Sequence, residues 1–200
     1  MAKTILIAGD SFGCEWPNGK GWPLELAKNN AVNNVAQAGV SEYKILKQLH
    51  NVSAHDAYWI HNYDCVIVCH TSPSRIHTPK HPVHKQGLHK DCDLIFSDIN
   101  QKFDWFNPRL RTAKNWFYHH YDDDYQKDMY QLLRQEIKRF IPIPYLAVDN
   151  FSISNQFACE ENRLDLTDVW PFYRGETNHY TDEGNQIVLK QIIDKLDKIC

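Results

Sequence analysis

Thr4-Ile5-Leu6-Ile7-Ala8-Gly9-Asp10-Ser11-Phe12 is the stretch that decides the fold. Its apolar part is short and runs straight into a glycine turn, which predicts a buried strand over Thr4 to Ala8. The serine then falls at the carboxyl end of an N-terminal strand. That is where an open α/β sheet presents its chemistry, in the crevice outside the strand ends. Gly9 permits a tight turn or a close backbone approach at this point.

Working outward, Leu24 to Lys28 is a short helix candidate after Pro23, and Ala31 to Ala36 reads as a second strand leading to Gly39. Ser41 is expected to cap a helix through about His50, with Tyr43, Ile45, Leu46 and Leu49 on its apolar side. Asp64 to Cys69 is the third strand. Residues 72–115 show no sustained period and carry Pro73, Pro79, Pro82, Pro108 and many histidines. They read as an irregular insertion over the active-site end of the sheet, since a long loop in a compact domain is usually functional or mobile. Asp122 to Asp124 suit a helix start. Tyr125, Met129, Leu132, Leu133, Ile137 and Phe140 continue that helix until Pro142 and Pro144 stop it. Tyr145 to Val148 is a fourth strand, and Thr181 caps a last helix whose Val188, Ile192, Leu196 and Ile199 face inward. This alternation predicts one α/β domain over residues 1–200, with a central parallel sheet and helices on both faces.

Bulk properties narrow the function. The chain has 200 residues and a formal net charge of −3, with no basic patch, so no nucleic-acid partner is expected. No apolar run approaches a bilayer span, so no membrane partner is expected either. Ile5 to Ala8 is too short for the apolar region of a signal peptide, which leads to an expected cytoplasmic location. The six cysteines, Cys14, Cys65, Cys69, Cys92, Cys159 and Cys200, form no CxxC pair and read as free thiols. Cys65 and Cys69 share one strand face and read as small core residues. Aromatic and histidine side chains crowd the segment from Trp105 to Tyr121. Such amphipathic rings suit either a contact surface for sugars or the packing of an insertion short of regular structure.

Two blocks far apart in the chain carry the chemistry: Gly9-Asp10-Ser11-Phe12, and Glu176-Thr177-Asn178-His179 followed by Gly184. With Gly39 after the second strand, their order and spacing resemble the SGNH/GDSL hydrolases, an esterase and lipase family. The resemblance implies a flavodoxin-like three-layer α/β/α sandwich with strand order 2-1-3-4-5. It implies Ser11 as nucleophile, His179 as base and Glu176 as the acid of the triad, where the family usually has aspartate. It further implies an oxyanion hole from the backbone N–H groups of Ser11 and Gly39. The family's third-block asparagine is absent; Ser72, in Cys69-His70-Thr71-Ser72-Pro73-Ser74-Arg75, stands at that place and can donate one hydrogen bond.

The residue types fit these roles physically. A serine hydroxyl needs a base to accept its proton, an imidazole works near neutral pH, and a carboxylate orients it. Asp10, His70 and Arg75 are candidate substrate-side groups, with Asp10 also suited to bonding nearby backbone. His81-x-x-His84 and His89-x-x-Cys92 have spacings that zinc uses, yet the lysine- and proline-rich surroundings equally suit a solvated loop, and no metal or organic cofactor is expected.

The expected function is hydrolysis of a small acyl ester, with an O-acetylated carbohydrate as the leading substrate class. The alternatives are a non-catalytic glycan-binding module on the same fold, and a lipase or thioesterase. The sequence leaves the oligomeric state open.

Overall fold

The computed structural model describes residues 2–16, 19–55, 59–100, 102–103, 105–175 and 179–200, with the side chain of Ile60 excepted. Five strands form one all-parallel sheet: β1 Thr4–Gly9, β2 Ala31–Asn34, β3 Cys65–His70, β4 Tyr145–Asp149 and β5 Arg163–Asp165, in the order β2-β1-β3-β4-β5. Helices α1 Trp22–Leu26, α2 Glu42–His55, α3 Phe96–Asn100, α4 Pro108–His120, α5 Asp123–Phe140, α6 Ser152–Asn155, α7 Val169–Phe172 and α8 Asp182–Ile199 complete the described elements, with a 3-10 turn over Trp59–Asn62. The architecture is the expected three-layer α/β/α sandwich.

The strands explain the layers. A strand covered on both faces reads as a continuous apolar run, and β3 and β4 are buried throughout while β1 is buried after Thr4. Side chains alternate across the sheet. Ile5, Ile7, Ile67 and Val148 therefore enter the core under α1 and α8, together with Val188, Ile192 and Leu196. Leu6, Ala8, Val66 and Val68 enter the opposite core with Ile45 and Leu49 of α2 and Ile137 of α5. Cys65 and Cys69 are fully buried in the first of these cores, as expected for small apolar fillers. All six cysteines are free thiols.

Several boundaries differ from the sequence expectations, for local reasons. Helix α1 starts at Trp22 rather than Leu24, because Pro23 sits inside its first turn, where its missing N–H costs nothing. Strand β2 stops at Asn34, whose side chain accepts from Ala36 N–H (3.0 Å) and donates to the Gly13 carbonyl (2.9 Å). Helix α2 runs on to His55. Ser41 precedes it, but its hydroxyl has no partner among the described residues; its N–H instead donates to Asp93 Oδ2 (2.8 Å). Asp122 and Thr181 do cap α5 and α8, accepting from the N–H groups of Tyr125 and Gly184.

The segment expected to be irregular holds α3 and the start of α4. Asn107 caps α4 by accepting from Leu110 N–H (3.1 Å), and Pro108 occupies its first turn. Leu110, Ala113 and Phe117 then pack on Ile99 as a third, smaller core. The aromatic cluster therefore divides: Phe117 packs, while Phe103, Trp105, Phe106 and Tyr118 are exposed. Among the described residues, no helix is long and apolar enough to cross a membrane.

Gly9 closes β1 at φ +146°, and a Cβ there would lie 2.6 Å from both the Cβ and the carbonyl oxygen of Cys69. That neighbour is strand backbone and cannot yield. Gly9→Ala is expected to destabilise the fold by about 1–3 kcal/mol or more, read as a lower urea midpoint. An unchanged midpoint would mean that the β1–β3 approach is looser than this.

Candidate active site

The strands bring their C-terminal ends to one edge, and most of the nominated residues gather there. Ser11 follows β1, Gly39 lies beyond the end of β2, His70 ends β3, and Ser72 and Arg75 follow it. Ser11 is half-buried. Its turn is fixed from both sides: Phe12 N–H donates to Asp10 Oδ1 (3.0 Å), and Gly13 N–H donates to the Asp10 carbonyl (3.1 Å). Asp10 N–H is in turn held by the Cys69 carbonyl (3.1 Å), which ties the turn to β3.

Asp10 is thus a buried support of the turn. Burial is the main influence on its carboxyl and pushes it from an ordinary 3.8 up to about 7, against the hydrogen bond from Phe12 and the charge of Arg75. The sign of the resulting pH dependence follows. Between those two values the folded chain holds a proton that the unfolded chain has lost, so Asp10 destabilises the fold increasingly as pH rises through that window, by about 1.4 kcal/mol per pH unit at most. Asp10→Asn keeps an acceptor for Phe12 N–H and removes the charge. Its stability relative to the parent chain is expected to improve from pH 4 to pH 7 in urea titrations; a constant difference would exclude a buried, titrating Asp10.

His179 reaches the same turn from the other end of the chain, just ahead of α8. Its ring lies 4.9 Å from the Phe12 ring and 4.0 Å from the Trp16 ring. Phe12, Trp16, Trp22, His179 and Tyr180 line a cavity of about 230 Å³, with Cys14 at its wall. Trp22 is anchored by its indole N–H on the Phe12 carbonyl (2.8 Å), and Tyr180 by its hydroxyl on Asn150 Oδ1 (2.5 Å). The cavity is therefore aromatic, built on the residue next to Ser11, and Ser11 itself is not part of its lining. Glu176, the nominated acid, lies outside the described residues.

The remaining candidates are drawn into structure around the edge. Gly39 has φ +73°, and a Cβ there would lie 2.8 Å from the Cys92 Cβ. Its carbonyl accepts from Asp93 N–H (2.8 Å) and from Arg75 Nη1 (3.2 Å). Arg75 thus braces the Gly39 turn. The Ser72 hydroxyl donates to Ser74 Oγ (3.3 Å) and accepts from Ser74 N–H (3.3 Å). His70 is fully buried, with Nδ1 2.6 Å from Glu42 Oε1 and Nε2 3.2 Å from the Tyr145 hydroxyl. It meets α2 and β4 rather than the cavity.

Beside His70 lies a buried ionic network that the sequence did not disclose. Arg134, on α5, is fully buried and binds Asp149 through Nη1 and Nη2 (2.7 and 2.8 Å) and Glu160 through Nε and Nη2 (both 2.7 Å). Burial alone would raise the Glu160 carboxyl; the Arg134 hydrogen bonds, with His70 nearby, overcome it and hold Glu160 at about 2. An acidic residue ending the apolar run Tyr145-Leu146-Ala147-Val148 was the available signal for Asp149. Arg134, 15 residues before it, and Glu160, 11 after it, had none.

No protein-family model and no curated protein matches the chain.

Proposed function

We propose that this chain is a serine ester hydrolase, acting on an O-acetylated carbohydrate or another small acyl ester. Ser11 attacks the carbonyl and His179 takes its proton. His179 then returns that proton to the leaving alcohol, and water releases the acyl-enzyme. Glu176 orients the imidazole, and the N–H groups of Ser11 and Gly39, with Ser72, receive the oxyanion. The observation that carries this reading is the approach of the His179 ring to Phe12, next to Ser11, at 4.9 Å. A base that arrives from 168 residues away at the turn holding a strand-end serine is what nucleophilic catalysis requires. The aromatic cavity beside that turn supports a sugar-bearing substrate, because ring faces pack against apolar faces while tolerating polar rims.

A second reading has its own support. The Ser72 hydroxyl is engaged with Ser74, and Ser11 stands outside the cavity lining. Both features favour a glycan-binding module that keeps the fold without turnover. Hydrolysis of p-nitrophenyl acetate by the full chain separates the two. Activity that disappears in Ser11→Ala supports the hydrolase. Activity unaffected by Ser11→Ala, or its absence together with binding in a glycan screen, overturns it.

A further inference from the structure

The histidine spacings of the loop before α3 become a cluster in three dimensions. Ligand atoms of His81, His84 and Cys92 all lie within 4.8 Å of one another. We infer that His81, His84 and Cys92 form a binding site for a zinc ion, which fastens this loop beneath the Gly39 turn. The inference is independent of ester hydrolysis.

The donor set suits the ion. Two imidazoles and one thiolate are the ligand types of borderline-soft divalent metals, zinc foremost among them. Tetrahedral zinc, with Zn–N about 2.0–2.1 Å and Zn–S about 2.3 Å, holds its ligand atoms about 3.3–3.6 Å apart. The cluster therefore needs to close by little more than an ångström. The His89 ring lies 5.4 Å from the His84 ring, outside the cluster of three. Asp98 Oδ2 lies 3.8 Å from His84 Nε2, and a carboxylate behind a ligating histidine is the usual way its ring is oriented.

Further observations bear on the site. His81 is 5 % exposed, and its Nε2 is buried without a hydrogen-bond partner among the described residues. Its Nδ1 has a single lone pair, which is shared by the N–H groups of Val83 (3.1 Å) and His84 (3.0 Å). A neutral imidazole has only this one lone pair, so coordinating an ion requires the ring to turn and release these two N–H groups. Cys92 is fully buried with its Cβ packed against Gly39, so the site couples the loop to the β2–α2 connection. The loop is already fastened there by Asp93, whose carboxylate accepts from Ser41 N–H and Thr78 N–H (both 2.8 Å) and pairs with Lys44 (3.0 Å). On binding, the Cys92 S–H bond breaks, a Zn–S bond forms, and the proton passes to solvent.

Cobalt(II) and zinc titrations of the full chain test this. The expected result is one cobalt per chain, with intense tetrahedral d–d bands and a thiolate-to-cobalt charge-transfer band, both displaced by zinc. Cys92→Ser should lose the charge-transfer band. His84 is half-buried, so His84→Ala should fold normally, as circular dichroism would verify. It should weaken zinc binding by at least about 100-fold, the upper end of what losing a mere supporting partner costs. Changing His119, at the end of α4, should leave binding unaltered. A weak octahedral cobalt spectrum without the thiolate band, or equal zinc affinity in the parent chain and His84→Ala, would overturn the site.

Discussion

Arg134→Met is expected to lower the unfolding free energy by about 3–5 kcal/mol, the cost of leaving a buried charge without its partner. Methionine fills the volume of the arginine stem, so the loss isolates the charge. Asp149 would keep one cation, since Arg163 Nε lies 3.1 Å from its Oδ2. Glu160 would keep the Cys159 N–H (2.9 Å) and the His70 ring at 3.7 Å. A pH signature should accompany the loss. In the parent chain Glu160 is depressed to about 2 from an ordinary 4.5. Its stabilising contribution is therefore complete above 4.5 and disappears as pH falls toward 2. In the variant, burial loses its main opponent and protonation relieves Glu160, so the gap to the parent chain should narrow on acidification. Urea titrations at pH 7 and pH 4 measure both effects. A gap below about 1 kcal/mol at neutral pH, or one that widens in acid, would remove Arg134 as the network's anchor.

The second large effect concerns turnover. If Ser11 is the nucleophile, Ser11→Ala should reduce kcat on the order of 10⁶-fold, and His179→Ala by a similar amount, because members of such a unit fail together. Stability should barely change in Ser11→Ala, within about 0.5 kcal/mol, because the turn is held by Asp10 and by backbone bonds rather than by the serine hydroxyl. Glu176→Gln should cost on the order of 10⁴-fold or less, with the smaller losses expected if a backbone carbonyl shares the orienting role. The ordering is the informative quantity. Equal losses in Glu176→Gln and His179→Ala support a conventional triad. A loss in His179→Ala much smaller than in Ser11→Ala would move the base elsewhere.

The sheet was readable because its central strands are contiguous apolar runs. β1, β3 and β4 each announce themselves within five or six residues, and the alternation with helices fixes a parallel order. β5 was not readable: Arg163-Leu164-Asp165 carries one apolar residue, and becomes a strand only because β4 offers it a ladder. Helix α4 was readable in principle from Asn107-Pro108, a capping residue followed by a first-turn proline, but the surrounding prolines and histidines concealed it. Helix α5 shows the limit of periodicity. Its existence is plain and Ile137 is buried as its spacing suggests, yet Tyr125 and Leu132 of the same pattern are exposed, while Tyr130 and Arg134, outside it, are buried. The rotation answers to Asp149 and Glu160, which no local pattern can report. The site divides in the same way. Strand-end positions of Ser11, Gly39 and Ser72 follow from the strands themselves. The burial of His70 against Glu42, and the meeting of His81, His84 and Cys92, depend on contacts between segments.

The aromatic cavity is closed by two segments far apart in the sequence. Phe12, Trp16 and Trp22 come from its first turns, while His179 and Tyr180 arrive with α8, which is fastened back to the start by Lys3–Asp197 and Lys20–Asp182. The two walls are thus brought together by the tertiary fold and not by any local segment. The pocket is complete only once α8 has docked, so a ligand held there and the docking of that helix stabilise one another.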